Sequence, residues 1–426
     1  KGFFFYLLII GSGGREHALC WKLKQSTQCK KLFCMPGNGG ISELAECIKI
    51  DPLKKNEVYR FCKESNIDLV VIGPELYLED GLSDFLLNKK ISVFGPSKKA
   101  SQLETSKVFS KKFLEKNKIP TARFKTFKSF DKIKSYLNNS SGPFVIKVDG
   151  LASGKGVLIS NSKDEAIKNA YEILINEKFG GAGKKIVLEE FLDGFEISYF
   201  IFLDKNTYHI IDYALDHKKL KDGDIGPNTG GMGAFSPSNK VTEELKKRIN
   251  EEIIMPTVNG LKNENIIYRG VLFIGLMITS SGPKVIEYNV RFGDPECQVI
   301  MKRYDPDMLN DIIKVTNCNL NKSVIKIKNN YCICVVLTSN GYPKKYKKDS
   351  LIENIKIAEN IPGIKIFHSG TRKEKNKFFS NGGRVLSVTA MNKSKDISKK
   401  KVYKALKVIN WQDGFYRKDI GKKNFD

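Results

Sequence analysis

Four scarcities narrow this sequence before any motif is read. Its nine cysteines are scattered, with no Cys-x-x-Cys pair and no histidine partners at zinc spacing. That excludes a structural zinc module and points to a reducing, cytoplasmic setting. No apolar run approaches the ~20 residues needed to cross a bilayer. The stretch from Phe3 to Ile10 is too short and runs straight into a glycine loop, so it reads as a buried first strand and no membrane partner is expected. Arginine is rare: of 72 basic residues ten are arginine and 62 lysine, with a net charge of +25. Lysines spread along helices, beside abundant Ile and Asn, fit an A+T-rich codon bias and a solvated surface. They would attract any polyanion at low salt but specify no nucleic acid. Internal repeats and long low-complexity linkers are also missing, so a chain of 426 residues is expected to form about three modules packed as one unit.

What is present is chemistry for phosphate. The stretch Val285-Ile286-Glu287-Tyr288-Asn289-Val290-Arg291 has the β-branched, alternating pattern of a strand. A period of two puts Glu287, Asn289 and Arg291 on one face, giving an anion, an amide oxygen and a cation in a row. Hard oxygen ligands suit Mg²⁺ shared with nucleotide phosphates, and a guanidinium beside them can stabilise a transferring phosphoryl group.

The first hundred residues alternate short apolar runs, Phe4–Ile10, Leu32–Met35, Leu69–Ile72 and Ser92–Phe94, with helical segments. The pattern predicts a parallel sheet covered on both faces. After the first run comes Gly11-Ser12-Gly13-Gly14-Arg15-Glu16-His17, a tight turn whose N–H groups can face an anion. Glu16 stands where a dinucleotide fingerprint has its third glycine, so no Rossmann cofactor is expected. One helical run is predicted from about Ser101 to Lys118. Further on, Phe144–Lys147 leads into Asp149-Gly150-Leu151-Ala152-Ser153-Gly154-Lys155-Gly156-Val157, a glycine-rich hairpin with a lysine at its tip. It is either a lid over phosphates or an ordinary turn; a P-loop is excluded because the chain returns to a strand. Ile186 to Glu196 reads as a strand ending in an acidic hinge that could meet an adenine and ribose, or as an edge strand with surface acids. From about Tyr331 the chain is strand-rich again, at Cys332–Leu337, Ile364–His368 and Gly383–Ala390, with a helix over Asp396–Ile409.

In this order, the motifs resemble the ATP-grasp enzymes, and among them the phosphoribosylamine–glycine ligase family. The resemblance runs along essentially the whole chain. It is carried by Gly13-Gly14-Arg15-Glu16-His17-Ala18, Pro36-Gly37-Asn38, Gly73-Pro74-Glu75, Lys147-Val148-Asp149-Gly150, Glu189-Glu190-Phe191-Leu192-Asp193-Gly194, Asp216-His217-Lys218, Gly226-Pro227-Asn228-Thr229-Gly230-Gly231-Met232-Gly233, Arg291-Phe292-Gly293-Asp294-Pro295-Glu296 and Asn381-Gly382-Gly383-Arg384. It implies an α/β ATP-grasp fold: a Rossmann-like parallel-sheet domain over residues 1–102, a central domain over 103–125 and 191–327, a lid over 126–190 and a strand-rich C-terminal domain over 328–426. The implied reaction is the ATP-dependent joining of glycine to 5-phosphoribosylamine through a glycyl phosphate, with Mg²⁺ or Mn²⁺. The implied assembly is a monomer or weak dimer.

The same resemblance implies residue roles. Lys107, Lys147, Gly154, Lys155 and Gly156 would hold the nucleotide phosphates, Glu189, Glu190, Phe191 and Leu192 the adenine, and Glu196 the ribose. Glu287 and Asn289 would bind the metal. Arg291, Asp294 and Lys155 would act at the transferring phosphoryl group, Asp216 and Lys218 would hold substrate nearby, and Gly13, Gly14, Asn38 and Glu75 would meet the phosphoribosylamine. Four positions depart from the family pattern: Leu215, Lys219, Ile225 and Cys297 stand where Gln, Arg, Thr and Thr are usual, which puts some substrate contacts in question. His17 and His217 are expected to be structural, since an amine nucleophile needs little activation. The rival readings are another ATP-grasp ligase using formate or bicarbonate, and a nucleic-acid-binding protein, for which no docking module is present.

Overall fold

The computed structural model describes residues 4–152, 155–305 and 307–421. Its first sheet has five parallel strands in the order Glu46–Cys47, Cys29–Pro36, Phe5–Gly11, Leu69–Ile72, Ser92–Phe94. Alternation along the first strand sends Leu8 and Ile10 into one core and Leu7 and Ile9 into another. Both faces are therefore buried, which is why these strands read as continuous apolar runs. The two-residue strand Glu46–Cys47 was not predicted, being too short to show a period.

The predicted single helix from Ser101 to Lys118 is instead two helices, Lys98–Thr105 and Lys107–Lys116. Ser106 breaks it: its backbone is extended and its hydroxyl accepts from Phe109 N. The Asp149 carboxylate adds a second cap, accepting from Ser106 Oγ and Val108 N at 2.9 Å each. The region expected to be a lid forms a four-stranded antiparallel sheet in the order Phe124–Phe127, Ile186–Glu190, Phe144–Val148, Val157–Ser160. Ile186–Glu190 is thus an inner strand and not an edge.

A nine-stranded sheet runs without interruption from the central into the C-terminal region. Its main path is Gly282–Asn289, Gly270–Thr279, Phe195–Leu203, Tyr208–Asp216, Gly233–Ser236, Tyr331–Ser339, Arg384–Asn392, Ile364–His368, and Gly414–Phe415 pairs with Tyr331–Ser339 off that path. The join is the pairing of Gly233–Ser236 with Tyr331–Ser339. Two small sheets stand beside it, Lys219–Lys221 with Ile225–Asn228, and Leu351–Ile352, Lys377–Ser380 and Thr371–Glu374.

The helix Glu296–Arg303 is buried along its whole length. It packs on the N-terminal helix Gly14–Leu23 and on the strands Tyr208–Asp216, Gly233–Ser236 and Tyr331–Ser339, so all three regions meet on it. Both its ends are charged. Arg303 pairs with Asp212 at 2.7 Å and donates to Asn330 O. At the other end Glu296 accepts from Ser198 Oγ at 3.3 Å. Burial, then the neighbouring charge of Asp216, raises the Glu296 carboxyl to about 7.

Two outcomes are expected. Arg303→Met strands the Asp212 carboxylate in the core and should cost about 3 kcal/mol or more, read from the denaturant midpoint. Because the native state keeps a proton on Glu296 that the unfolded chain has lost, its contribution to stability is complete below pH about 4.5 and disappears as pH rises through about 7. Glu296→Gln should flatten that part of the stability–pH curve, and an unaltered slope would contradict the buried, protonated carboxyl.

Candidate active site

The strand Gly282–Asn289 presents Glu287 and Asn289 as the sequence period predicts. It ends before Arg291, which that period places on the same strand but which lies in the bend beyond. The polar face of the strand meets a helix face at right spacing. Lys107 and Lys111, four residues apart on one helix, lie one above the other. Lys107 Nζ is 3.2 Å from Glu287 Oε2. Asn289 Nδ2 lies 3.4 Å from Glu287 Oε1, and Asn289 Oδ1 accepts from Arg291 Nη2 at 3.2 Å. Burial would raise the Glu287 carboxyl, but Lys107, Lys218 and Lys147 hold it well below the usual carboxylate range, so it is ionised. Glu287 and Asn289 are two adjacent hard oxygen donors. Among the described residues no three His, Cys, Asp or Glu side chains gather as a metal cage. That donor set fits Mg²⁺ or Mn²⁺ completed by phosphate oxygens and water.

Beside Lys111 of the helix the four-stranded sheet brings a further lysine, Lys147. In its register Lys147 stands opposite Val187, so Glu189, two residues on, shares the face of Lys147 while Glu190 points away. Lys147 Nζ and Lys111 Nζ each lie 3.1 Å from Glu189 Oε1, and Lys147 also donates to Ile286 O at 3.2 Å. Glu190 turns outward to Arg123 at 2.7 Å. Beyond it Phe191 is exposed and Leu192 half-buried, and Glu196 pairs with Lys218 at 2.6 Å. Lys155 is exposed at the hairpin; Gly154 lies outside the described residues. Gly156 is required by packing, since a Cβ there would stand 2.4 Å from Val148 Cγ2.

Arg291 joins this cluster to the N-terminal module. Its Nε contacts Glu75 Oε2 at 3.0 Å and its Nη2 contacts Glu104 Oε1 at 2.6 Å. Burial disfavours the Glu75 carboxylate, but Arg291 and Arg15 bring it down to about 2. Arg15 binds Glu16 at 2.6 Å and Phe292 O at 3.1 Å. The Glu16 carboxylate folds back on the glycine loop and accepts from Gly13 N at 2.7 Å. An acid therefore occupies this helix start, the position at which backbone N–H groups otherwise face an anion. Asp294 closes the group: it accepts from Gln298 Nε2 at 2.8 Å and from Arg15 N at 3.4 Å, with Arg384 Nη1 at 3.8 Å. A Cβ on Gly13 would lie 3.1 Å from Asp294 Oδ2, and one on Gly14 2.8 Å from Ser369 Oγ, so the loop faces both the central and C-terminal regions.

Asn38 stands apart. Its amide donates to Ser12 O and His368 O, and its oxygen accepts from Gly40 N and Ile41 N, so its polar atoms hold its own loop. Asp216 ends the strand Tyr208–Asp216 beside Lys218. That turn is clamped by Arg417, which is fully buried and binds Lys219 O, Asp224 and Asp419. Among the four departures, Leu215 is buried in the core, Ile225 is 64% exposed at a hairpin tip, and Cys297 donates to Arg15 O at 3.7 Å. His17 Nδ1 accepts from His368 N at 2.7 Å, and His217 Nε2 from Gly421 N at 3.3 Å. Sequence reasoning assigned no role to Lys111, Glu104, Arg15, Glu296 or Arg384. Lys111 had a signal, its place four residues after Lys107 on a helix; Glu104 had none.

Three family models match in succession: the N domain of phosphoribosylglycinamide synthetase over residues 5–104, its ATP-grasp (A) domain over 105–297 and its C domain over 332–423. A curated phosphoribosylamine–glycine ligase from Brucella melitensis is 44% identical over 97% of each chain. The crystal structure of a phosphoribosylamine–glycine ligase from Thermotoga maritima is similar with a TM-score of 0.85 at 32% identity, covering 98% of this chain and 100% of that one. A biotin carboxylase from Campylobacter jejuni shares the fold alone, with a TM-score of 0.76 at 14% identity over 99% of this chain and 97% of its own. Members of this superfamily use ATP with divalent metal ions, and the chain belongs to the phosphoribosylglycinamide synthetase family of ATP-grasp ligases.

Proposed function

We propose that the protein joins glycine to 5-phosphoribosylamine, releasing glycinamide ribonucleotide, ADP and phosphate. The observation that supports this most is the unbroken row Lys107, Glu287, Asn289, Arg291, in which an ionised carboxylate, an amide oxygen and a guanidinium are held within 3.4 Å of their neighbours. A bound divalent cation, Mg²⁺ or Mn²⁺, supplies charge neutralisation at the β- and γ-phosphates. Glu287 and Asn289 would hold it. Lys107 and Lys147, with Lys155 from the hairpin, would take the phosphates. The backbone of Glu190 to Leu192 would meet the adenine, because the Glu189 side chain is engaged by lysines, and Glu196 would meet the ribose.

A glycine carboxylate oxygen attacks the γ-phosphorus and ADP leaves, giving a glycyl phosphate. The phosphoribosylamine nitrogen then attacks the acyl carbon, phosphate departs with that carboxylate oxygen, and the amine loses a proton. No enzyme nucleophile is needed, so the side chains contribute position and charge. Arg291 would neutralise charge on the transferring phosphoryl group. Asp216, Lys218 and Asp294 would orient glycine, while Glu75 and the Gly13-Gly14 loop would face the phosphoribosylamine. Asn38 supports that end by fixing the loop beside it.

ADP release should require both glycine and phosphoribosylamine. Turnover with formate or bicarbonate replacing glycine would overturn the substrate assignment. Glu287→Gln keeps side-chain size but loses the charge, and should lower turnover at limiting Mg²⁺ by about 3 kcal/mol, near a hundredfold, with little change in stability. Near-normal turnover at limiting metal would remove Glu287 from the site.

A further inference from the structure

The carboxylate of Glu189 is shared by two ammonium groups that approach the same oxygen, Oε1, at 3.1 Å each. All three side chains are almost dry, at 4% exposure for Lys111, 3% for Lys147 and 5% for Glu189. The oxygen they share receives no well-directed hydrogen bond, so both contacts are charge contacts. The two lysines are nevertheless held differently. Lys111 donates to Thr121 Oγ1 at 2.7 Å, Thr121 donates in turn to Val285 O at 2.7 Å, and the ammonium stands over the Phe124 ring. Lys147 has one long hydrogen bond besides the shared carboxylate, to Ile286 O at 3.2 Å. Lys111 is therefore fixed beside the carboxylate by groups other than the carboxylate itself, whereas Lys147 depends on it.

A buried carboxylate that loses its only counter-ion is strongly destabilised, so a lone Lys147 would be retained by Glu189. With a second cation fixed on the same oxygen, Lys147 can turn to another anion and leave no buried charge uncompensated. We propose that Lys111 is a positioning residue, the permanent counter-ion of Glu189 that releases Lys147 to the phosphates of the nucleotide. This rests on the reading of Lys147 as a phosphate ligand. Burial, opposed by Glu189, lowers the Lys111 ammonium to about 8, in keeping with a cation kept charged by this one carboxylate.

The test is MgATP binding to the full chain by titration calorimetry, without the other substrates. Lys111→Met should weaken MgATP by about tenfold or more, because Lys147 is then held by Glu189. Once Glu189 is neutral Lys111 should be dispensable: Glu189→Gln and the double variant Lys111→Met/Glu189→Gln should bind MgATP within about threefold of each other. That arm contains no stranded carboxylate, so it decides the matter even if Lys111→Met alone does not fold. If the double variant binds about tenfold more weakly than Glu189→Gln, Lys111 acts on the phosphates directly and the proposal is overturned. Binding by Lys111→Met equal to that of the unaltered chain overturns it as well. Undiminished binding by Lys147→Met would instead overturn the assignment of Lys147 to the phosphates, and the proposal with it.

Discussion

The Arg291 guanidinium lies between Glu75 at 3.0 Å and Glu104 at 2.6 Å, carboxylates supplied by the N-terminal module and by the helix that follows it. Burial works against the Arg291 charge, and the two carboxylates more than offset it. The same group reaches Asn289 Oδ1 and its neighbour's carbonyl, Phe292 O. A charge this enclosed fixes its surroundings, because moving any partner leaves a buried ion unmatched. The N-terminal sheet, the helix carrying Glu104 and the polar strand must therefore keep one relative placement, which aligns the lysine-rich end of the site with the glycine loop.

Around that pin the site has two halves with different electrostatics. On one side lysines outnumber the acids they touch: Lys107, Lys111 and Lys147 face Glu287 and Glu189. Excess positive charge suits polyanionic nucleotide and keeps Glu287 ionised for a cation. On the other side Arg15, Arg384 and Arg291 are matched by Glu16, Asp294, Glu75 and Glu104. This half is close to balanced and well hydrogen-bonded, as expected where small substrates must be oriented. The buried helix Glu296–Arg303 supports both halves, since its start touches the strand Phe195–Leu203 through Ser198 and its end ties down Asp212.

The parts of this site readable in the sequence are those set by local periodicity. Glu287 and Asn289 followed from a strand period, and Lys147 and the acidic strand end from composition and order. Glu16 stood out in the glycine loop as a departure from a dinucleotide fingerprint, though its capping of Gly13 N needed coordinates. What could not be read depends on long-range register. Glu104 and Arg291 are 187 positions apart, and Glu75 and Arg291 are 216 apart. The sharing of Glu189 by two lysines requires the strands of the four-stranded sheet to pair in one register and the Lys107 helix to lie beneath them, which no local pattern specifies. The break at Ser106 was missed for a related reason, since half its cap comes from the distant Asp149.

The central claim is that these residues bring the γ-phosphorus of ATP against the carboxylate of glycine. Glycine carrying ¹⁸O in its carboxylate, turned over with ATP and phosphoribosylamine, tests that transfer atom by atom. One labelled oxygen should appear in the released inorganic phosphate, with ADP as the nucleotide product. Unlabelled phosphate, or AMP in place of ADP, would contradict it.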